Sequence, residues 1–152
     1  MKKLKDLLEI SGAEYELISH DAEIKTAKEG ADYFGIDPAQ TAPTLILRAE
    51  KGGVSDYFAL IISGNRDKVN FDELINVLQV DTVRLAKPKE VERITGSRIG
   101  SVSLINPNIP TIMDKQLLRF THVYGGTGIQ QTTLKISPKN VENLNKVVFF
   151  ID

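Results

Sequence analysis

The sequence predicts an α+β fold, a central mixed and mostly antiparallel sheet with helices at its periphery. Three observations lead there. Short runs rich in β-branched, leucine and aromatic residues recur at 15–19, 44–48, 57–63 and 132–136. Lys51-Gly52-Gly53 lies between two of those runs, which is the chemistry of a hairpin rather than of a βαβ crossover. Amphipathic segments with their own caps sit between the strands instead of alternating regularly with them.

The elements follow in order. Leu4, Leu7 and Leu8 recur at helical spacing and Gly12 is placed to end that helix. After a short strand at 15–19, Thr26 with Glu29 makes a capping box for a helix running to Gly35, and Asp37-Pro38 breaks it. The hairpin comes next. Asn70 and Glu73 then cap a helix whose apolar face holds Phe71, Leu74, Ile75 and Leu78. A strand at 82–85 precedes a helix opened by Pro88. Strands are expected at 111–113, 121–124 and 132–136, then a short helix from Pro138 and a closing strand at 147–151.

With 152 residues the chain reads as one domain over 1–152, large enough to bury a core without staples. It has no cysteine, which removes disulfides, thiolate nucleophiles and Cys-based zinc sites and fits a reducing, cytoplasmic setting. Met1-Lys2-Lys3-Leu4-Lys5 has no apolar stretch behind it and is not read as a signal peptide. No apolar run approaches the roughly 20 residues that span a bilayer. The formal charge is −1, so composition carries no basic excess pointing to nucleic acid.

The usual catalytic constellations are missing. The two histidines, His20 and His122, have no partner at metal-ligand spacing, and no metal site is expected. His20, at a strand end before Asp21, reads either as a hydrogen-bonded structural residue or as a substrate contact. His122 reads as structural. Gly125-Gly126-Thr127-Gly128 lies between two strands and no Gly-Lys-Ser/Thr follows, so it reads as a hairpin turn, with a ligand loop as the alternative. Ser101-Val102-Ser103 lacks the glycine framing of a nucleophile elbow. What remains is the long stretch of turn formers and small polar residues from Gly96 to Pro110. A connection of that length is usually functional, and its glycines let backbone N–H groups approach a ligand and hold an oxyanion.

Taken in order, several segments resemble the YbaK/EbsC family of aminoacyl-tRNA deacylases, related to the editing domain of bacterial prolyl-tRNA synthetases. They are Ser19-His20-Asp21, Thr26 with the helix to Gly35, Gly35-Ile36-Asp37-Pro38-Ala39-Gln40, Thr44-Leu45-Ile46-Leu47 and Gly64-Asn65. Leu85-Ala86-Lys87-Pro88, Thr95-Gly96, Gly100-Ser101-Val102-Ser103, Ile109 to Asp114, Val123-Tyr124-Gly125-Gly126 and Ile136-Ser137-Pro138 complete the set. The match covers residues 15 to 152.

The resemblance implies hydrolysis of the ester joining a wrong amino acid to the 3′ adenosine of tRNA, without metal or organic cofactor. A water attacks the carbonyl, the neighbouring ribose hydroxyl assists, and backbone amides support the oxyanion. Its partners would be the tRNA acceptor end and, as a second candidate, an aminoacyl-tRNA synthetase. By the same resemblance Gly100, Ser101 and Ser103 are the catalytic candidates, the first two as backbone donors. His20, Thr26, Pro43, Thr44, Leu104, Gly125 and Gly126 are the substrate-binding candidates. Two positions depart from the pattern. The family places a lysine immediately before Thr44-Leu45, where this chain has Pro43, which has neither charge nor N–H. The family has a proline after Ser103, where this chain has Leu104. Lys25 and Lys28 are the nearby candidates to supply the charge. The departures leave a second reading, a non-catalytic binder of aminoacyl-tRNA or an amino-acid-like ligand, and a third, an unrelated hydrolase using Ser103 with His20 or His122.

Overall fold

Gly52-Gly53 turns the chain back on itself, and the two strands it joins stay in register from Lys51↔Val54 out to Thr44↔Ile61. The computed structural model describes residues 1–152. In chain order its elements are α1 (Lys2–Ser11), β1 (Tyr15–Ser19), α2 (Ala27–Phe34), β2 (Thr44–Lys51), β3 (Val54–Ile61) and α3 (Phe71–Leu78). They continue with β4 (Thr82–Leu85), α4 (Pro88–Thr95), β5 (Pro110–Asp114), β6 (Val123–Gly126), β7 (Thr132–Ile136), α5 (Pro138–Leu144) and β8 (Lys146–Ile151). Short 3-10 turns occupy Pro38–Gln40 and Lys115–Arg119.

The expected α+β class holds, in two sheets rather than one. The larger has the order β4-β2-β3-β5-β8 and the smaller β1-β7-β6. β2 runs antiparallel to β3 and β4, while β5 lies parallel to both β3 and β8. The smaller sheet is antiparallel throughout. Capping chemistry sets the helix ends much as read. Asn70 accepts from Glu73 N, and Thr26 accepts from Glu29 N at 3.1 Å. The return half of the Thr26 box slips by one residue, because the Glu29 carboxylate reaches Lys25 N. The strand expected at 121–124 begins instead at Val123 and runs on to Gly126.

Apolar side chains gather in three places. Leu8 of α1 packs with Ile61, Met113, Leu134 and Ile136 between the two sheets. Leu47, Leu60 and Ile112 lie under Leu74 of α3. Ile46, Ala59, Ala86, Val91 and Val102 form the third group, which joins α4 and the long loop to the large sheet. Each fully buried large apolar side chain contributes about 1.5–3 kcal/mol, so this third group anchors the loop as well as filling space.

Candidate active site

One short segment carries the chain from the small sheet to the large one. Thr41 bridges to Tyr124, and Ala42 N donates to Tyr124 O at 2.7 Å. Pro43 accepts from Ile62 N at 3.1 Å, and Thr44 then begins β2. A proline has no N–H to return to the ladder, which is tolerated just ahead of a strand's first residue.

A cavity of about 570 Å³ lies beside this junction, within the usual range for small-ligand sites. One wall is Pro43 to Ile46, a second comes from Ile24 to Ala27 with Gly30 and Phe34, a third is Ile99 to Val102. Tyr124 to Gly126 and the β6–β7 turn close it. Leu85, Ala86 and Val91 reach it from β4 and α4. Those last residues are held in place by Glu90, whose carboxylate accepts from Tyr57 Oη at 2.6 Å, Lys87 N at 2.9 Å, Arg84 at 3.0 Å and Arg48 at 2.6 Å. The Tyr57 hydroxyl first, then the Lys87 N–H and the two guanidinium groups, hold Glu90 well below the ordinary carboxylate range.

The polar groups on the cavity wall differ in what they have free. Thr26 Oγ1 already accepts a helix N–H and keeps its own proton to donate. Thr44 Oγ1 is buried with no partner at all. His20 is fully engaged: Nδ1 lies 2.7 Å from Ala22 O and Nε2 lies 2.9 Å from Thr133 Oγ1. A carbonyl can only accept, so Nδ1 carries a proton, and in the neutral ring Nε2 accepts from Thr133. His20 is thus a hydrogen-bonded residue that also lines the cavity wall.

Along the long loop the backbone N–H groups differ in what they bond. Gly100, at φ +90°, has an N–H with no protein acceptor. Ser101 N donates to Arg98 O at 3.0 Å and is spent in a turn. The N–H of Val102, buried on the cavity wall, has no protein acceptor either. Of the three amides from Gly100 to Val102, those of Gly100 and Val102 are the two without a protein acceptor, where Gly100 and Ser101 were the expected donors. Two unpaired N–H groups on a cavity wall can hold an oxyanion.

Ser103 and Leu104 are not among the residues lining the cavity. Ser103 Oγ accepts from Ile105 N at 3.1 Å, a local turn bond, and neither histidine bonds to it. Leu104 is fully buried in the core, and its N–H donates to Gly126 O. Gly125 and Gly126 do line the cavity, as the end of β6 rather than as a turn. Their hydrogens are needed because the loop lies flat on them: a Cβ on Gly126 would sit 2.2 Å from Val102 O. His122 lies just before β6, its carbonyl accepting from Gln40. Val102 and Phe34 also line the cavity, though neither is among the site candidates named from sequence.

Residues 21–144 match the model of the aminoacyl-tRNA editing domain. The chain belongs to that family. A proline–tRNA ligase of Desulforamulus reducens is 31% identical over 117 residues, which are 76% of this chain and 20% of the ligase. One of Caldicellulosiruptor bescii is 27% identical over 129 residues, 85% of this chain and 21% of the ligase. The chain thus spans about a fifth of the length of the curated relatives it matches. Among solved structures, the hypothetical protein APE2540 superposes with a TM-score of 0.87 at 26% identity, covering 97% of each chain. A candidate trans-editing enzyme for prolyl-tRNA synthetase shares the fold, with a TM-score of 0.83 at 24% identity over 97% of this chain and 92% of its own.

Pro43 brings no charge to the cavity of this editing domain. Lys25 is the one Lys or Arg on the cavity wall, and Lys28 is not part of it. Lys25 Nζ stands 3.8 Å from Glu23, and its side chain is 68% exposed. A pair that exposed contributes little to stability, so Lys25 is free to turn toward a ligand. No helix of the fold is long and apolar enough to cross a membrane.

Proposed function

We propose that residues 1–152 act as one trans-acting aminoacyl-tRNA deacylase that removes a wrong amino acid from the 3′ end of tRNA. The observation that carries the reading is the pair of unpaired N–H groups, Gly100 and Val102, on the wall of the cavity of an editing-domain fold. Water adds to the ester carbonyl, assisted by the neighbouring ribose hydroxyl, and the carbonyl oxygen becomes an oxyanion facing those donors. Collapse breaks the ester C–O bond, giving the free amino acid and a protonated ribose hydroxyl. Thr26 and Thr44 offer hydrogen bonds to the substrate, and Lys25 offers the only ammonium. The similarity to proline–tRNA ligases favours a tRNA charged in error by such a ligase as substrate.

The test is direct. Purified protein is incubated with tRNAs charged with Ala, Ser, Cys and Pro, and loss of the acyl group is followed. Release from at least one is expected; release from none removes the deacylase reading. Pro43 favours a second reading, a binder of aminoacyl-tRNA or an amino-acid-like ligand, which predicts saturable binding of the same tRNAs without release. Hydrolysis by a Ser103 nucleophile is disfavoured by its turn bond to Ile105. Ser103→Ala should keep near-normal turnover, and its abolition would reinstate that mechanism.

A further inference from the structure

A second, shallower recess adjoins the cavity and shares His20, Gln130, Gln131 and Thr132 with it. Its own lining adds Ser19, Asp21 and Tyr33, for a volume of about 460 Å³. Its character is different: polar edges around one aromatic face. Tyr33 is 49% exposed, and its hydroxyl takes part in no hydrogen bond. The ring is nevertheless held, 5.4 Å from His20 and 5.0 Å from Phe34 between centroids. Phe34 in turn lies 5.0 Å from Tyr124 with the rings tilted, so a chain of rings runs from the cavity wall out to the recess.

The recess is also built in advance. Gln131 sits at φ +63°, a conformation uncommon outside glycine. There its carbonyl accepts from His20 N at 2.9 Å and its side-chain Nε2 donates to Asp21 O at 2.9 Å. Both bonds tie the β6–β7 turn to the end of β1. Gln130, next to it, is exposed and has a side-chain amide with no partner.

We infer that this recess is a nucleobase subsite, taking the base next to the terminal nucleoside of a single-stranded RNA end, stacked on Tyr33 with its edge on Gln130 and Asp21. The inference rests on the deacylase reading for the identity of the RNA. Its chemistry is read from the recess alone. An exposed, anchored aromatic ring is a sequence-tolerant stacking platform. A free amide offers its NH2 as donor and its carbonyl as acceptor, and a carboxylate only accepts. Together they suit a base that presents an amino group, as cytosine does, and disfavour uracil, whose carbonyl would face the Asp21 carboxylate.

The test is fluorescence anisotropy with uncharged, labelled RNA tetranucleotides ACCA and ACUA, and with unlabelled CMP as competitor. The wild type should bind ACCA roughly tenfold tighter than ACUA. Tyr33→Ala should weaken ACCA binding roughly tenfold, with Tyr33→Phe close to wild type. Asp21→Asn, which exchanges the fixed acceptor for an amide at an exposed position, should erase most of the preference for ACCA. Wild-type affinity in Tyr33→Ala, an undiminished preference in Asp21→Asn, no binding of either RNA, or CMP binding as tightly as ACCA would each overturn the inference. Because the RNA is uncharged, the readout is independent of hydrolysis. Tyr33-dependent binding without release of any amino acid leaves the subsite standing and removes the deacylase. Release that proceeds while both variants bind normally does the reverse.

Discussion

Gly126 lies flat beneath the carbonyl of Val102, so close that a Cβ there would stand 2.2 Å from the oxygen. The adjoining bond, Leu104 N to Gly126 O at 3.0 Å, pins the loop in that position. Both contacts are backbone to backbone, so neither partner can swing away as a side-chain tip could. The loop backbone at Val102 therefore rests against β6 only because Gly126 has no side chain. Gly126→Ala should cost about 2 kcal/mol, as overpacking does. It should also lower the deacylation rate by more than tenfold at a temperature where the variant is folded. Urea unfolding and acyl release measured side by side check this. A variant that loses stability but keeps its rate would detach the loop from catalysis.

Thr44 gives a sharper separation of structure from function. A buried hydroxyl with no partner costs about 1–3 kcal/mol, which a core-filling residue would not be expected to carry. Thr44→Val keeps the shape and the β-branching that suits the start of a strand. Stability should stay level or rise by about 1 kcal/mol, while kcat/KM falls roughly tenfold through loss of a substrate hydrogen bond. Equal kcat/KM in the two proteins would leave the hydroxyl without a role in the site.

The charge question is best posed as a cycle between Pro43 and Lys25. Pro43→Lys should raise the deacylation rate roughly tenfold by placing an ammonium at the mouth of β2. Lys25→Ala should lower it by a similar factor in the wild type. If the two lysines serve the same oxygen atoms, Lys25→Ala should lose most of its effect in the Pro43→Lys background. Additive effects in the double variant would mean that Lys25 acts elsewhere.

Much of the fold was legible because its signals are local. Thr26 with Glu29, Asn70 with Glu73 and Gly52-Gly53 each act within a few residues, and each ends or turns an element where expected. The second sheet was not legible, since β1 finds β7 across the chain, Ser19 opposite Thr132, with nothing in either strand to name its partner. The same limit governs the site. The loop around residue 100 and the junction at Pro43 stood out as small-residue segments and as departures from a pattern. That Gly125 and Gly126 would be strand rather than turn depends on what packs on them. That Ser101 N–H would close a turn while Val102 N–H stays open depends on Arg98 O, and no residue type encodes it.

Asp114 links stability to pH through a fully buried carboxylate at the end of β5. It accepts from Ser63 N at 3.0 Å, Gln116 N at 2.9 Å and Arg66 at 2.8 and 3.2 Å. Arg66 also donates to the backbone carbonyl of Asp152, so the cluster ties β3, β5 and the last residue together. Burial pushes the Asp114 carboxyl up, but the Arg66 guanidinium and the two N–H groups outweigh it and hold the group below its ordinary value. An unfolded aspartate titrates near 3.9, so the folded state binds its proton less readily than the unfolded one. The stabilisation is fully present above about pH 5 and is lost as the pH falls through the unfolded and then the folded value. Asp114→Asn should cost about 3 kcal/mol at pH 7, at the lower end for breaking a buried pair, because the Arg66 side chain keeps 19% of its surface in water. Urea midpoints taken from pH 7 to pH 3 should fall more steeply below pH 5 in the wild type than in Asp114→Asn. Parallel curves would mean that other carboxylates carry the acid sensitivity and that Asp114 binds its proton equally well in the folded and unfolded chain.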